Sequence, residues 1–190
     1  MHEKDEITLS ACIICLNEAR NIARCLRSLT WADQIIVVDS GSEDDTVRIA
    51  REYTDAVFKR VWTGYVDQKN FALSKARGTW VLSVDADEVV SRALKEEIRR
   101  KITDPGAREG YRMPRRSFYQ GRWIHHSGFY PDRQLRLFKR TCGRWTGGRV
   151  HERMEIRGEV GELQNDLLHY PYGGVISGQL GAVDQFSGLL

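Results

Sequence analysis

Apolar residues fall in short continuous runs along the first half of the chain, with stretches of helical period between them. Residues 9–16 form a nearly unbroken apolar run, which predicts a strand buried on both faces of a parallel sheet. Asn17-Glu18 ends it. Ile22, Leu26 and Leu29 then recur at helical spacing, with Arg20, Arg24 and Arg27 on the other side. Residues 34–39 predict a second buried strand and Ser40-Gly41-Ser42 a turn. Asp44-Asp45 open a helix that points Val47, Ala50 and Tyr53 inward, and acidic residues in a first turn suit the helix dipole. A short strand at 56–58 follows, then a helix at 67–77 with Phe71, Leu73 and Ala76 on its apolar face, stopped by Gly78. Residues 80–84 predict a further strand. Ser91 caps a helix whose buried face carries Leu94, Ile98 and Ile102, and Pro105-Gly106 closes it.

Strand and helix in alternation predict an α/β protein, a mostly parallel sheet flanked by helices. After Gly110 the texture changes. Residues 111–119 and 134–140 read as strands around a loop rich in Trp, Tyr, His and Arg, and 143–148 reads as a flexible glycine-rich stretch. No internal repeat or linker stands out. The 190 residues are enough for one domain with a sizeable core. Two halves are expected within it: 7–104 to bind a nucleotide, and 105–190 to bind an acceptor and complete the site. Leu180, Val183, Phe186 and Leu190 lie at amphipathic helical spacing up to the last residue, so a C-terminal continuation is expected.

The net charge of +3 is too small to indicate nucleic acid, and none is expected as a partner. The distribution of charge is more informative. Acidic residues gather at Glu43-Asp44-Asp45 and Asp85-Ala86-Asp87-Glu88, and basic ones between 112 and 122 and between 133 and 149. No apolar run reaches the roughly 18–20 residues of a membrane span, and the polar first six residues lack a signal-peptide core. The expected location is cytoplasmic, with peripheral contact at the inner face of the membrane left open. Cys12 and Cys15 form a C-x-x-C pair within an apolar strand. Side chains three apart on a strand point to opposite faces, so buried core thiols are expected rather than a redox or zinc pair.

Ligands of an open parallel sheet bind beyond the carboxyl ends of its strands. Asn17-Glu18, Asp39-Ser40-Gly41 and Asp85-Ala86-Asp87 all fall at such ends. Asp39 and Asp87 each close a buried apolar strand that needs no acid there, which points to function, whereas Ser42, Asp45 and Ser91 read as turn formers and caps. Residues i and i+2 of a strand point the same way, so Asp85 and Asp87 are expected to face one side. Their mutual repulsion then calls for a cation between them, and oxygen ligands suit Mg²⁺ or Mn²⁺ held jointly with substrate phosphates. The chain has neither a G-x-x-x-x-G-K-S/T loop nor a G-x-G-x-x-G turn, so a metal bridge is the natural grip on a diphosphate.

Residues 9–18, 36–44 and 78–88 resemble the three nucleotide-sugar motifs of family-2 glycosyltransferases, which adopt the Rossmann-like glycosyltransferase A fold. Asp132-Arg133-Gln134-Leu135-Arg136-Leu137-Phe138 and Val150-His151-Glu152 resemble the branch containing the lipopolysaccharide core β-glucosyltransferases. The resemblance covers nearly the whole chain. It departs at Cys15-Leu16, where the family usually carries a proline and an aromatic before Asn-Glu, and it lacks the Q-x-x-R-W signature of processive synthases.

The resemblance implies an inverting transfer of a hexose, glucose in the first instance, from a UDP-sugar to a glycolipid or oligosaccharide acceptor. Asn17 belongs to the first motif, Glu18 and Asp39 would meet the uridine, and Lys69 and Asn70 would line the donor pocket. Asp85 would sit near the ribose or sugar and Asp87 would bind the metal. His151 would be either a further metal ligand or a satisfied polar core residue. Inversion in one displacement needs a general base. Asp132 is the candidate, unless it serves only an ion pair with a neighbouring arginine, and Glu152 is the alternative. Arg136 either approaches the diphosphate or lies on a solvated strand face.

Phe118, Tyr119, Trp123, Phe129, Tyr130 and Trp145 lie among Arg115, Arg116, Arg122 and Arg133, a mixture suited to sugar faces and phosphates as well as to a plain core. Two other functions compete. A sugar-1-phosphate nucleotidyltransferase would begin with a basic glycine-rich loop, and Asn17-Glu18-Ala19-Arg20 is not one. A non-catalytic nucleotide-sugar-binding protein would keep Glu18 and Asp39 and need no base.

Overall fold

The computed structural model describes residues 8–125, 130–148 and 152–171. Its first half follows the expected alternation: β1 (Leu9–Cys15), α1 (Ile22–Arg27), β2 (Gln34–Asp39), α2 (Thr46–Ala50), β3 (Val57–Lys59), α3 (Tyr65–Lys75) and β4 (Trp80–Asp85). Then come β5 (Glu88–Val90) and α4 (Arg92–Ile102), whose first turn is capped by Ser91 Oγ accepting from the Leu94 N–H at 3.1 Å. The second half is built of strands: β6 (Gly110–Tyr119), β7 (Arg122–Trp123), β8 (Asp132–Lys139), β9 (Gly143–Gly147), β10 (Glu152–Ile156), β11 (Val160–Glu162) and β12 (Leu167–His169).

The strand order is β3-β2-β1-β4-β8-β6-β12-β5, parallel from β3 to β4. β8 enters antiparallel between β4 and β6, so strands from both halves share one sheet. Four pairings separate β4 from β5, which in a flat sheet is about 19 Å. Ala86 and Asp87 alone join the two, a link of at most about 11 Å. The sheet therefore curls, and the curl brings β12 to the carboxyl end of β4.

Every residue of β1 is buried, as a strand covered on both faces requires. Leu9, Ala11, Ile13 and Cys15 pack into one core with Leu26, Leu82 and Leu94, while Cys12 and Ile14 pack into the other with Ala72, Val81 and Phe138. Cys12 and Cys15 are thus free thiols on opposite faces, and burial pushes Cys12 up to about 12.

The structure corrects several expectations. The helix expected at 67–77 lies one half-turn earlier, at Tyr65–Lys75. Residues 143–147 are not a flexible stretch but the strand β9, paired antiparallel with β10. Gly143 serves close approach there, because a Cβ would run into the Phe138 ring. β4 ends at Asp85, and Ala86-Asp87 is a turn, so Asp85 and Asp87 do not share a strand face. The helix expected near 180–190, Phe129 and His151 lie outside the described residues. No helix among the described residues is long and apolar enough to cross a membrane.

Candidate active site

The loops after β1 and β2 are clasped together. Asn17 adopts φ 53°, a left-handed conformation that asparagine tolerates, and its Oδ1 accepts from the Glu43 N–H at 2.9 Å. In return its own N–H donates to Ser42 Oγ at 2.8 Å. The Glu18 N–H donates to Thr46 Oγ1 at 2.7 Å and its carbonyl takes the first N–H groups of the α1 turn. Asp39 is buried, with 1% of its surface exposed. Its carboxylate accepts from the Gly41 N–H, the Ser42 N–H and Ser42 Oγ, so it holds the turn as well as facing the strand end. Gly41, at φ 107°, needs the freedom of glycine to make that turn.

Glu18 receives a hydrogen bond from Asn21 Nδ2 at 2.9 Å. Burial pushes its carboxyl up to about 7; the Asn21 bond opposes this, and the charges of Asp87, Asp44 and Asp85 add to it. Glu18 therefore shares a region of negative potential with both acids of the third motif.

Those two acids have separate partners. Asp85 lies 3.2 Å from Lys69 Nζ and 2.5 Å from an Arg136 nitrogen. Burial raises its pKa, yet Arg136 and Lys69 outweigh that and hold it well below the usual carboxylate range. The cations expected between paired carboxylates are thus, at Asp85, the protein's own. Asp87 stands apart in the turn, with its Oδ2 3.2 Å from His169 Nε2. His169 Nδ1 lies 2.9 Å from Ser117 Oγ, and the Tyr170 N–H donates to the Asp87 carbonyl at 2.9 Å.

Lys69, buried on α3, also reaches Glu152 Oε1 at 3.0 Å and lies 4.5 Å from the centre of the Trp145 ring. Asn70 is used differently from the expectation of a donor contact. Its Nδ2 donates to the Trp145 carbonyl and its Oδ1 accepts from the Trp145 N–H, so the amide fastens β9 to α3. Arg136 is not on a solvated face: it is 4% exposed. It is the extra residue of a bulge, since Tyr111 pairs with Leu137 and Arg112 with Leu135. Its guanidinium is buried between Asp85 and Glu88, 3.1 Å from the latter. Burial works against its charge, and Asp85 and Glu88 more than offset that, so its pKa is raised.

Glu88 is fully buried and touches Arg115 at 3.5 Å, and Arg115 in turn holds Asp132 at 2.7 Å. An unbroken series of ion pairs therefore runs Glu152–Lys69–Asp85–Arg136–Glu88–Arg115–Asp132. Both candidate bases stand at its ends. Asp132 also accepts from Gln134 Nε2 at 2.7 Å. Beside the series opens a cleft of about 440 Å³, lined by Lys69, Asp85, Trp145, Glu152 and a group of arginines.

The expected aromatic residues divide. Trp145 is buried, and Tyr130 donates to Asp166 at 2.8 Å. Trp123 meets both Phe118 and Tyr170 edge to face, and Arg24 lies 3.7 Å over the Tyr170 ring. Sequence reading missed His169 and Glu88 as members of the site, and had placed Arg115 only among the acceptor-side arginines. Glu88 was visible as the acid next to the Asp85-Ala86-Asp87 run. His169 carried no local signal, because only the curl of the sheet brings it to Asp87.

Residues 10–155 match the family described as Glycosyl transferase family 2. The chain is 35% identical over 172 residues to the lipopolysaccharide core biosynthesis glycosyltransferase LpsC of Rhizobium meliloti, covering 87% of this chain and 64% of that one. It is 48% identical over 91 residues to an uncharacterized glycosyltransferase of Rickettsia felis, covering 47% of this chain and 32% of that one. Among solved structures it is similar to residues 1–349 of TarS from S. aureus, with TM-score 0.56 and 20% identity over 70% of this chain and 47% of that one. TarS 1–349 has also been crystallised with UDP. The fold is the expected mixed α/β glycosyltransferase A fold. The chain spans a third to two thirds of the length of these curated relatives.

Proposed function

Because this chain belongs to glycosyl transferase family 2, we propose that it moves a hexose, glucose in the first instance, from a UDP-sugar onto a lipopolysaccharide core or related glycan, inverting the anomeric centre. The observation that carries this reading is the convergence of Glu18, Asp39, Asp85 and Asp87 on the carboxyl ends of β1, β2 and β4, where an open α/β sheet binds its ligand. Glu18 and Asp39 supply acceptors for the N–H of a uracil ring. Asp85, fixed by Lys69 and Arg136, presents a rigid carboxylate edge to the ribose or sugar.

A Mg²⁺ or Mn²⁺ ion fits this site through Asp87 and His169. With Nδ1 protonated and donating to Ser117 Oγ, His169 turns the lone pair of Nε2 toward Asp87. Among the described residues no three acid, histidine or cysteine side chains are grouped so that together they could hold a metal ion. A hard cation here would take one or two protein ligands and the rest from the diphosphate. When bound, such an ion neutralises the charge that develops on the departing diphosphate.

The chain's own part in the reaction is to orient the acceptor and remove its proton. Asp132, 35% exposed and aimed by Arg115 and Gln134, is the proposed base, with Glu152 second. The reading is tested by incubating the protein with Mn²⁺, a panel of UDP-hexoses and a deacylated lipopolysaccharide core, and following transfer by mass spectrometry. A product with inverted anomeric configuration by NMR supports it. Donor binding with no transfer to any glycan favours the non-catalytic binding reading.

A further inference from the structure

We propose that the cleft between β8 and the β9–β10 hairpin is a subsite for an acidic group on the acceptor, so that the preferred acceptor is an anionic sugar whose oxyanion is held by Arg112, Arg133 and Arg153. The proposal rests on the transferase reading above and adds the chemical class of its second substrate.

The cleft measures about 440 Å³, within the range of small-molecule sites. Lys69 and Asp85 line it, so it adjoins the carboxyl edge of the sheet, and none of Glu18, Asp39 and Asp87 does. It is therefore a neighbour of the donor region and not the same pocket. Trp145, Leu135 and Met154 give it apolar surface of the kind that packs on sugar ring faces.

Its cations fall into two groups. Lys69 and Arg136 are buried, Arg115 is 24% exposed, and these three are already neutralised by Asp85, Glu88, Glu152 and Asp132. The outer arginines are different. Arg112 is exposed and has no ion pair or side-chain hydrogen bond among the described residues. Arg133 meets Glu162 at 3.3 Å with side chains 31% and 52% exposed and also donates to the Leu163 carbonyl at 3.3 Å, and Arg153 meets Glu155 at 2.8 Å with 73% and 51%. Such exposed pairs are worth little, so an incoming oxyanion displaces them at small cost. Guanidinium groups bind phosphate and carboxylate in bidentate fashion, which gives the subsite its selectivity over neutral sugars.

Isothermal titration at low ionic strength tests this on the full chain, with glucose 6-phosphate, glucuronate and glucose as probes. Mn²⁺·UDP is titrated in parallel. Either acidic sugar should bind at least about tenfold more tightly than glucose, and the ratio of the two identifies the oxyanion. Arg112→Gln should weaken the acidic sugar about tenfold and leave Mn²⁺·UDP affinity unchanged. Equal affinity for acidic and neutral sugars, equal affinity in Arg112→Gln, or displacement of the sugar by UDP overturns the subsite. In each of those cases intact Mn²⁺·UDP binding leaves the transferase reading standing. Failure of the unaltered chain to bind Mn²⁺·UDP overturns that reading, and the acceptor assignment with it.

Discussion

His169 Nε2 lies 3.2 Å from Asp87 Oδ2, joining the last residue of β12 to the turn that follows β4. Ser117, on the neighbouring β6, fixes the histidine's other nitrogen. If this pair holds the metal, His169→Ala should weaken Mn²⁺ binding by more than tenfold, and Ser117→Ala by about tenfold through loss of orientation. Mn²⁺ titration followed by electron paramagnetic resonance measures both. Unchanged affinity in His169→Ala would assign the histidine to structure alone.

Asp132 is the proposed base, and it touches no residue at the ends of β1 and β2. Asp132→Asn should lower kcat by about 10²–10⁴ while UDP affinity stays within about twofold. Glu152→Gln should cost less if Asp132 is the base, and more if the roles are reversed. Parallel kinetics of the two variants decide between them. Asp132→Asn also keeps the shape beside Arg115, so melting curves separate a catalytic loss from a folding one.

Burial pushes Glu18 up to about 7 from its usual 4.5, with Asp87, Asp44 and Asp85 adding repulsion and Asn21 opposing. The folded state then binds this proton more tightly than the unfolded chain does. Its contribution to stability is full below about pH 4.5 and is lost as pH rises through about 7. In EDTA, stability of the unaltered protein should fall across that window, and Glu18→Gln should flatten the fall. Urea melts at half-unit pH steps measure it, and a window unaltered in Glu18→Gln would place the titration elsewhere.

Arg136 neutralises the half-buried Asp85 at 2.5 Å and the fully buried Glu88 at 3.1 Å. Removing it leaves Asp85 to Lys69 alone, at 3.2 Å, and the fully buried Glu88 to Arg115 alone, at 3.5 Å. Arg136→Ala should cost about 3–5 kcal/mol in a denaturant melt. Arg112→Ala, on an exposed arginine of the neighbouring strand, should cost less than about 0.5 kcal/mol.

The fold of the first half was legible because β1, β2 and β4 are buried apolar runs and α1 and α4 bury residues at helical spacing. β2 lies at the expected residues, and Ser91 caps α4 as its position before Leu94 implied. The second half was less legible. β9 reads as a loop because Gly143, Gly147 and Gly148 dominate it, and the need for glycine under the Phe138 ring is visible only in three dimensions. The site divides in the same way. Strand-end residues such as Glu18, Asp39 and Asp85 follow from position alone. His169 and the bulge that buries Arg136 depend on pairings between distant strands, which no local period records.

The most direct measurement is the affinity of UDP with and without Mn²⁺, for the unaltered protein and for Asp87→Asn. UDP should bind with about micromolar to low-millimolar affinity, EDTA should abolish that binding, and Asp87→Asn should weaken it at least about tenfold. UDP binding that ignores both EDTA and the loss of the Asp87 charge would contradict a metal held by Asp87.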